Sequence, residues 1–354
     1  MAAGVTVFFL NNYDMPWALD LVRQGKYPSQ HLYGVASLLE HDEPVELTRF
    51  RDDSLLRRGS RAAHWALGDL SQELPVLRRG RTGDVVYAGE PLCVEGLTRL
   101  RRMRATRLPV VSVVHQPVPA SRRWSGLLSG LQEIICLSSE VARQLVALHR
   151  VPAARVHTLA WGPDLDCPLY RSTGESGFVS SGKTERAQAD LLRAVEGTGL
   201  TGVVYSRRRA DLPVVAGVEV VAEDTHEDRG GRPGEGKFSF EHVIADLAAA
   251  AVVVIPLSRV DQLAGLTELA DALALDKPVI MTKNPFIDLD LEALGCGLWV
   301  PPGDPVALRE ALVKVMGDDA LRASMGRRAR EVAEDGCNAD AFGRGVARVL
   351  ERAR

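Results

Sequence analysis

The sequence predicts an α/β fold with two doubly wound, Rossmann-like domains, each a parallel sheet covered by helices. Short apolar segments alternate with amphipathic segments along all 354 residues. Many of the apolar segments lack the alternation of a half-exposed strand, which is the pattern of strands buried on both faces. The length also favours two domains over one.

Twelve apolar segments are predicted strands, six on each side of a short polar stretch. The first six are VTVFFL, PVELTRF, DVVYAG, PVVSVVH, EIICLS and RVHTLAW; the second six are GFVSSG, GVVYS, VEVVAE, AVVVIPL, PVIMT and LWVPPG. We predict a first domain over residues 1–170, a second over 171–337, and a C-terminal helix, 338–354, that packs back on the first. Two such domains facing a central cleft would suit a two-substrate transfer reaction.

Helical periodicity lies between the strands. Apolar spacing near 3.6 predicts helices over 29–40, 138–149, 185–195 and 305–316. Asp304 followed by Pro305 is typical of a helix start. The Gly-rich, charged stretch 224–237 is predicted to be a loop.

The composition of the chain argues against several classes of protein. Hydrophobic residues make up 46%, charged residues 25%, and the formal net charge is -3, which is ordinary for a globular protein and gives no sign of nucleic-acid binding. The five cysteines form no C-x-x-C pair, so neither a disulfide framework nor a zinc site is expected. The first residues lack the basic segment of a secretory signal, and no stretch reaches the roughly 18 apolar residues of a membrane span, so we expect a cytoplasmic protein.

The most informative segment is DQLAGLTELADALALDKPVIMT, residues 261–282. It reads as a tight turn with Gly265, Leu266 and Thr267, then a helix that ends before Pro278. A glycine allows close backbone approach, and a helix N-terminus offers free N–H groups to a diphosphate. Asp271, about one turn further on, could reach ribose hydroxyls. Taken alone, these residues are better explained by a simple turn and a solvated helix, but their context directly after a strand favours ligand binding.

A second candidate anion site lies in GFVSSGKTERAQADLLRAV. Gly182 marks a turn after a strand, and Lys183 and Arg186 open the next helix. Cations at a helix start oppose the helix dipole, so a diphosphate ligand explains them better than a solvated surface does.

The first domain offers three candidate site residues. Asn12 follows the first strand, His31 lies in a predicted helix, and His115 ends the strand PVVSVVH. Polar residues after parallel strands lie at the ligand-binding edge of a doubly wound sheet. For Asn12 and His31 a purely structural role is about equally consistent with the sequence.

Residues 245–335 resemble the C-terminal domain of retaining GT-B glycosyltransferases, glycosyltransferase family 4 in particular. The resemblance rests on ADLAAAAVVVIPL, AGLTELADALALDKPVIMT, GLWVPPGDPVALREAL and MGRRAREVAE. It implies that Gly265, Leu266 and Thr267 bind the donor phosphates or sugar, that Asp271 holds the ribose, and that Lys183 and Arg186 neutralise the leaving diphosphate. It also implies acceptor binding by Asn12 and His31, a catalytic sugar contact at His115, and a hinge at WGPDLD, residues 161–166.

The resemblance further implies sugar transfer with retention, a UDP-sugar as the commonest donor, and no metal or other cofactor. Two positions depart from the family: Asp271 stands where Glu is usual, and Leu263 replaces an earlier Glu that commonly contacts the donor sugar. Asp261 and Glu268 are weak candidates to substitute for it.

Several alternatives stay open at this point. The first domain has basic runs at 57–58, 78–81 and 99–107. A solvated face explains them most simply; an anionic membrane or a phosphorylated acceptor would also fit. We expect a small acceptor, a natural product or a cyclitol. The alternatives are a transferase acting on a lipid, a phosphorylase or epimerase, and a catalytically silent sugar-nucleotide-binding partner. A dehydrogenase is disfavoured because no strand precedes G-x-G-x-x-G.

Overall fold

The structure is a computed structural model and describes residues 5–49, 54–64, 66–182, 185–207, 209, 212–222 and 239–354. All twelve predicted strands are confirmed. They are β1 Val7–Leu10, β2 Val45–Leu47, β3 Val85–Ala88, β4 Val110–Val114, β5 Glu133–Cys136, β6 Val156–Thr158, β7 Phe178–Ser180, β8 Gly202–Ser206, β9 Val218–Ala222, β10 Val252–Ile255, β11 Val279–Thr282 and β12 Gly297–Val300.

Helices follow most of these strands. They are α1 Met15–Arg23, α2 Val35–Glu40, α3 Leu55–Ala62, α4 Leu70–Arg79, α5 Glu95–Arg102, α6 Arg122–Gly130, α7 Ser139–His149, α8 Gln188–Val195, α9 Phe240–Ala249, α10 Leu266–Ala274, α11 Pro305–Met316, α12 Asp319–Glu334 and α13 Ala339–Ala353. Short 3₁₀ helices span Ser29–Leu32, Pro91–Val94 and Ala153–Arg155.

The chain divides into two compact units, and each contains one parallel sheet of six strands. The first unit comprises residues 1–24, 29–161 and 339–354, with strand order β2-β1-β3-β4-β5-β6. The second comprises residues 25–28 and 162–338, with order β12-β11-β10-β7-β8-β9. The strand order reverses next to β1 in one sheet and next to β7 in the other, which are the positions where doubly wound sheets bind ligands.

The strands are buried because helices cover both faces, as the continuous apolar segments predict. The four residues of β1, β3 and β10 are all buried. In the first unit α13 packs against α2 and the central strands. In the second, α8, α11 and the strands enclose an apolar core around Phe178, Val254 and Leu312. All five cysteines are buried free thiols.

Two predicted helices are shorter than expected, for a local reason. Residues 29–40 form two pieces because Tyr33 and Gly34 have φ of 50° and 83°, outside the helical region. The helix predicted from Glu185 begins at Gln188 because Glu185 has φ of 53° and Arg186 pairs as an isolated bridge with Leu257. By contrast, α11 begins at Pro305 as predicted, with the Asp304 carboxylate accepting from the backbone N–H groups of Val306 and Ala307.

Candidate functional site

In the second unit, two backbone hydrogen bonds connect the loop after β7 to the loop after β10. The backbone N–H of Ala187 donates to the carbonyl of Pro256 at 2.9 Å, and that of Ser258 donates to the carbonyl of Glu185 at 3.0 Å. Since β7 and β10 are adjacent parallel strands, both loops leave the same edge of the sheet. The two predicted diphosphate-binding segments therefore lie side by side.

Glu268, in the first turn of α10, links the two segments directly. Its carboxylate accepts from the backbone N–H groups of Ser181, at 2.9 Å, and of Gly182. It also forms an ion pair with Arg186, whose Nε lies 2.8 Å from Glu268 Oε2. Both side chains are buried, with exposures of 7% and 5%. A buried carboxylate that receives a guanidinium and two amides is well compensated, so it fixes the loop after β7 against α10.

The turn before α10 requires glycine. Gly265 has φ of 88°, and a Cβ there would lie 2.6 Å from Met281 Cε and 2.9 Å from Ile255 Cγ2. The chain consequently passes close over the ends of β10 and β11. Within the described part of the chain, the backbone N–H groups of Leu266 and Thr267 have no hydrogen-bond partner, and Thr267 is exposed. They are free donors of the kind that binds anions at helix N-termini.

Asp271 lies deeper along α10 and is only 3% exposed. The hydroxyl of Tyr170 donates to its Oδ1 at 2.5 Å. Burial raises the pKa of Asp271 to about 7; the nearby Glu268 carboxylate adds to this, and the Tyr170 hydrogen bond opposes it. The carboxyl therefore titrates near neutral pH, and Tyr170 fixes its orientation.

The structure thus brings together six of the seven residues that the sequence assigns to the donor: Gly182, Arg186, Gly265, Leu266, Thr267 and Asp271. Lys183 lies outside the described residues. Sequence reasoning gave little weight to Glu268 and missed Tyr170. Glu268 could have been found from its position three residues before Asp271, which places both on one helix face. Tyr170 is 101 positions from its partner, and no local pattern identifies it.

Leu263 stands where the resembled family commonly has a sugar-contacting Glu, and this side chain is buried. Leu263 is 6% exposed. Of the two residues considered as substitutes, Asp261 is exposed and paired with Arg259, with a shortest distance of 2.6 Å, and Glu268 is engaged by Arg186.

In the first unit, three polar residues follow adjacent strands of the sheet: Asn12 after β1, Glu90 after β3 and His115 after β4. His115 Nε2 lies 3.9 Å from Glu90 Oε2, and the ring stacks on Tyr33 at a centroid distance of 6.5 Å. His115 Nδ1 is buried without a hydrogen-bond partner in the described structure. This nitrogen is shielded from solvent, whereas the His115 side chain as a whole is 30% exposed and can contact a ligand at the sheet edge.

Burial shifts both members of this pair toward their neutral forms. It lowers the pKa of His115 and raises the pKa of Glu90 to about 7. Sequence reasoning singled out His115 and missed Glu90, although Glu90 also follows a buried strand.

The two acceptor-binding candidates, Asn12 and His31, have different surroundings from those of His115. Asn12 is exposed, its N–H donates to Asn11 Oδ1 at 2.8 Å, and its carbonyl accepts from Arg57 Nη2 at 3.1 Å. His31 packs against Trp161 with ring centroids 5.7 Å apart, and burial lowers its pKa to about 4. His31 is therefore neutral at physiological pH.

Two kinds of feature are absent from the described residues. No helix in them is long and apolar enough to cross a bilayer. No group of three or more His, Cys, Asp or Glu side chains among them is arranged to hold a metal ion.

No protein-family model and no curated protein sequence matches this chain. Several solved structures, however, are similar to it over nearly its whole length. Sucrose-phosphate synthase from Thermosynechococcus elongatus is similar over 99% of both chains, with TM-score 0.72 and 14% identity. HepE from Anabaena in complex with UDP is similar over 98% of this chain and all of its own, with TM-score 0.64 and 14% identity. WaaG, a glycosyltransferase involved in lipopolysaccharide biosynthesis, has TM-score 0.63 and 13% identity over 98% of this chain and 99% of its own. Together with the two six-stranded parallel sheets, these similarities show that the chain has the two-domain, Rossmann-like GT-B fold.

Proposed function

We propose that this chain is a glycosyltransferase that moves a sugar from a nucleotide-sugar, preferably a UDP-sugar, to a small acceptor. The observation that carries the proposal is the pairing of the Gly182 turn with the start of α10 through Glu268. A diphosphate at this edge would meet the free amides of Leu266 and Thr267. The same fold holds UDP in HepE, and HepE has also been solved with UDP-glucose.

The ion pair between Arg186 and Glu268 gives the predicted donor residues different electrostatic roles. The Glu268 carboxylate already balances the charge of Arg186, so Arg186 acts mainly as an oriented hydrogen-bond donor. Lys183 and the α10 amides then supply most of the positive potential for the leaving diphosphate. Asp271, oriented by Tyr170, accepts from the ribose.

We propose transfer with retention. The bond between the anomeric carbon and the diphosphate oxygen breaks, the acceptor hydroxyl forms its bond on the same face, and its proton passes to the departing phosphate. Rate enhancement would come from stabilising the developing phosphate charge and from positioning, without a metal. In the first unit, Asn12 and His31 are the proposed acceptor-binding residues, and His115 is the proposed catalytic residue, which contacts the transferred sugar and orients the acceptor. A natural product or cyclitol is the proposed acceptor. We propose that the reaction takes place in the cytoplasm.

The test is release of UDP from UDP-sugars in the presence of an acceptor panel. Lys183→Ala should lower kcat by about 10²–10³, the usual effect of removing one group that stabilises developing charge. Lys314→Ala is the matched control, because Lys314 is exposed on α11. Unchanged turnover in Lys183→Ala would contradict the proposed site.

A second candidate function is a sugar-nucleotide-binding protein without transferase activity. The buried Leu263 favours it, because the position of the family's sugar-contacting Glu carries no polar group. Saturable UDP binding with no UDP release across donors and acceptors would select this function. Release of a labelled free sugar, sugar phosphate or epimer without acceptor would instead indicate hydrolase, phosphorylase or epimerase chemistry.

A further inference from the structure

Two cavities in the first unit, beside helices α5 and α6, are both lined by Arg102 and Arg122. One has a volume of about 560 Å³ and is also lined by Glu95, Arg99, Arg123 and Leu127. The other has a volume of about 520 Å³ and is also lined by Ser121, Ser125 and Ser129. The two cavities therefore share two arginine side chains.

The first cavity is lined by more arginines than carboxylates, and two of these arginines are held by hydrogen bonds to a carboxylate. Glu95 is its only acidic lining residue, and the side chain is 2% exposed. Its carboxylate accepts from Arg99 Nη2 at 2.9 Å and from Arg123 Nη2 at 2.7 Å. Arg123 Nη2 also lies 2.7 Å from the carbonyl oxygen of His64. One buried carboxylate thus orients two arginines and leaves a net positive cavity.

Arg102 and Arg122 have no such compensation. Both are exposed, and neither has a hydrogen-bond or ion-pair partner in the described ranges. Arg102 lies against α6, since a Cβ on Gly126 would be 2.8 Å from Arg102 Nη1. Arg122 occupies the first turn of α6, which contains no acidic residue and where the helix dipole disfavours a cation. A bound anion would relieve both unfavourable features.

We propose that this pair of cavities binds the phosphate group of a phosphate ester, with Arg102 and Arg122 as its principal ligands. Two guanidinium groups match the oxygens of a phosphate in geometry and in charge. Met103, which also lines the first cavity and is 75% exposed, supplies an apolar surface that suits the organic part of an ester. The inference uses no residue of the proposed donor site and does not depend on the proposed transferase activity.

The phosphate can come from a soluble ester or from a phospholipid headgroup, and two probes distinguish these sources. Inorganic phosphate is titrated into the full chain by calorimetry, and flotation is measured with phosphatidylglycerol and with phosphatidylcholine vesicles. The test variant is Arg102→Gln with Arg122→Gln. The control, Arg78→Gln with Arg81→Gln, removes the same charge from exposed arginines of the same unit that line neither cavity.

We expect the wild type to bind inorganic phosphate, or phosphatidylglycerol in preference to phosphatidylcholine. Either interaction should be at least tenfold weaker in the test variant and unchanged in the control. Binding of inorganic phosphate identifies a soluble ester, and binding of phosphatidylglycerol alone identifies a headgroup. Equal losses in both variants, no loss in the test variant, or no binding of either probe by the wild type would overturn the proposal. Thermal unfolding of both variants checks that they are folded.

Discussion

Arg186 and Glu268 form a buried ion pair that joins the loop after β7 to the first turn of α10, 82 residues apart in sequence. The sequence assigned Arg186 to the diphosphate and left Glu268 nearly without a role. Because the carboxylate of Glu268 balances the charge of the guanidinium, Arg186 contributes little net positive charge to a bound diphosphate. Among the described residues, the free amides of Leu266 and Thr267 then carry the positive potential at this edge, and Lys183 is proposed to add to it.

Replacing Glu268 should destabilise the protein strongly. Glu268→Gln leaves the buried guanidinium of Arg186 without its counter-charge, and breaking a buried pair from one side typically costs about 3–5 kcal/mol. Asp261→Asn is the control, because it breaks the exposed pair with Arg259, and such pairs are worth about 0–1 kcal/mol. Urea unfolding of both variants measures the difference. Similar losses would show that the pair with Arg186 contributes little.

Replacing Gly265 tests whether crowding at the turn before α10 is as tight as the contacts indicate. Gly265→Ala introduces a positive-φ alanine and a Cβ 2.6 Å from Met281 Cε. Gly199→Ala is matched for φ, at 74°, but has no heavy atom within 4 Å of the added Cβ. The left-handed conformation should cost roughly 1–2 kcal/mol in both variants, and overpacking should add about 1–3 kcal/mol in Gly265→Ala alone. Equal free energies of unfolding would contradict the close approach.

Asp271 should make stability depend on pH in a defined direction. Its pKa is about 7 in the folded protein and roughly 4 in an unfolded chain, so between these values the folded state binds a proton that the unfolded state does not. The stability of the wild type relative to Asp271→Asn should therefore fall as the pH rises from about 4 to about 7, and then level off. Chemical unfolding at several pH values measures this difference. A constant difference would show that the carboxyl titrates normally.

His115 should affect the acceptor more than the donor. His115→Ala removes a ring whose Nδ1 has no partner within the described residues and which can hydrogen-bond a ligand. Losing one neutral hydrogen bond of up to about 1.4 kcal/mol should raise the acceptor KM by up to about tenfold. The affinity for UDP, measured separately, should not change. A weaker affinity for UDP with an unchanged acceptor KM would reverse the assignment.

The sequence predicted all twelve strands because continuous apolar segments between helical patterns have few other interpretations. It did not predict the break at Tyr33 and Gly34, where a left-handed conformation interrupts an otherwise helical pattern. It also placed the start of α8 three residues early, because the pairing of Arg186 with Leu257 depends on a strand far along the chain.

The candidate site residues likewise fall into those that local sequence patterns reveal and those that depend on contacts between distant segments. Local chemistry identified Gly265, Thr267 and Asp271 on one turn and helix. Contacts between distant segments determine the roles of Glu268 and Tyr170, and neither segment reveals its partner. Glu90 shows the same limit, since its raised pKa arises from burial in the folded unit.

Calorimetric titration with UDP tests most directly whether a diphosphate binds beside the start of α10. We expect saturable binding to the wild type, at least tenfold weaker binding to Lys183→Gln, and unchanged binding to the exposed-site control Lys314→Gln. If the wild type bound neither UDP nor any other nucleoside diphosphate, or if Lys183→Gln bound UDP as tightly as the control, the proposed donor site would be wrong.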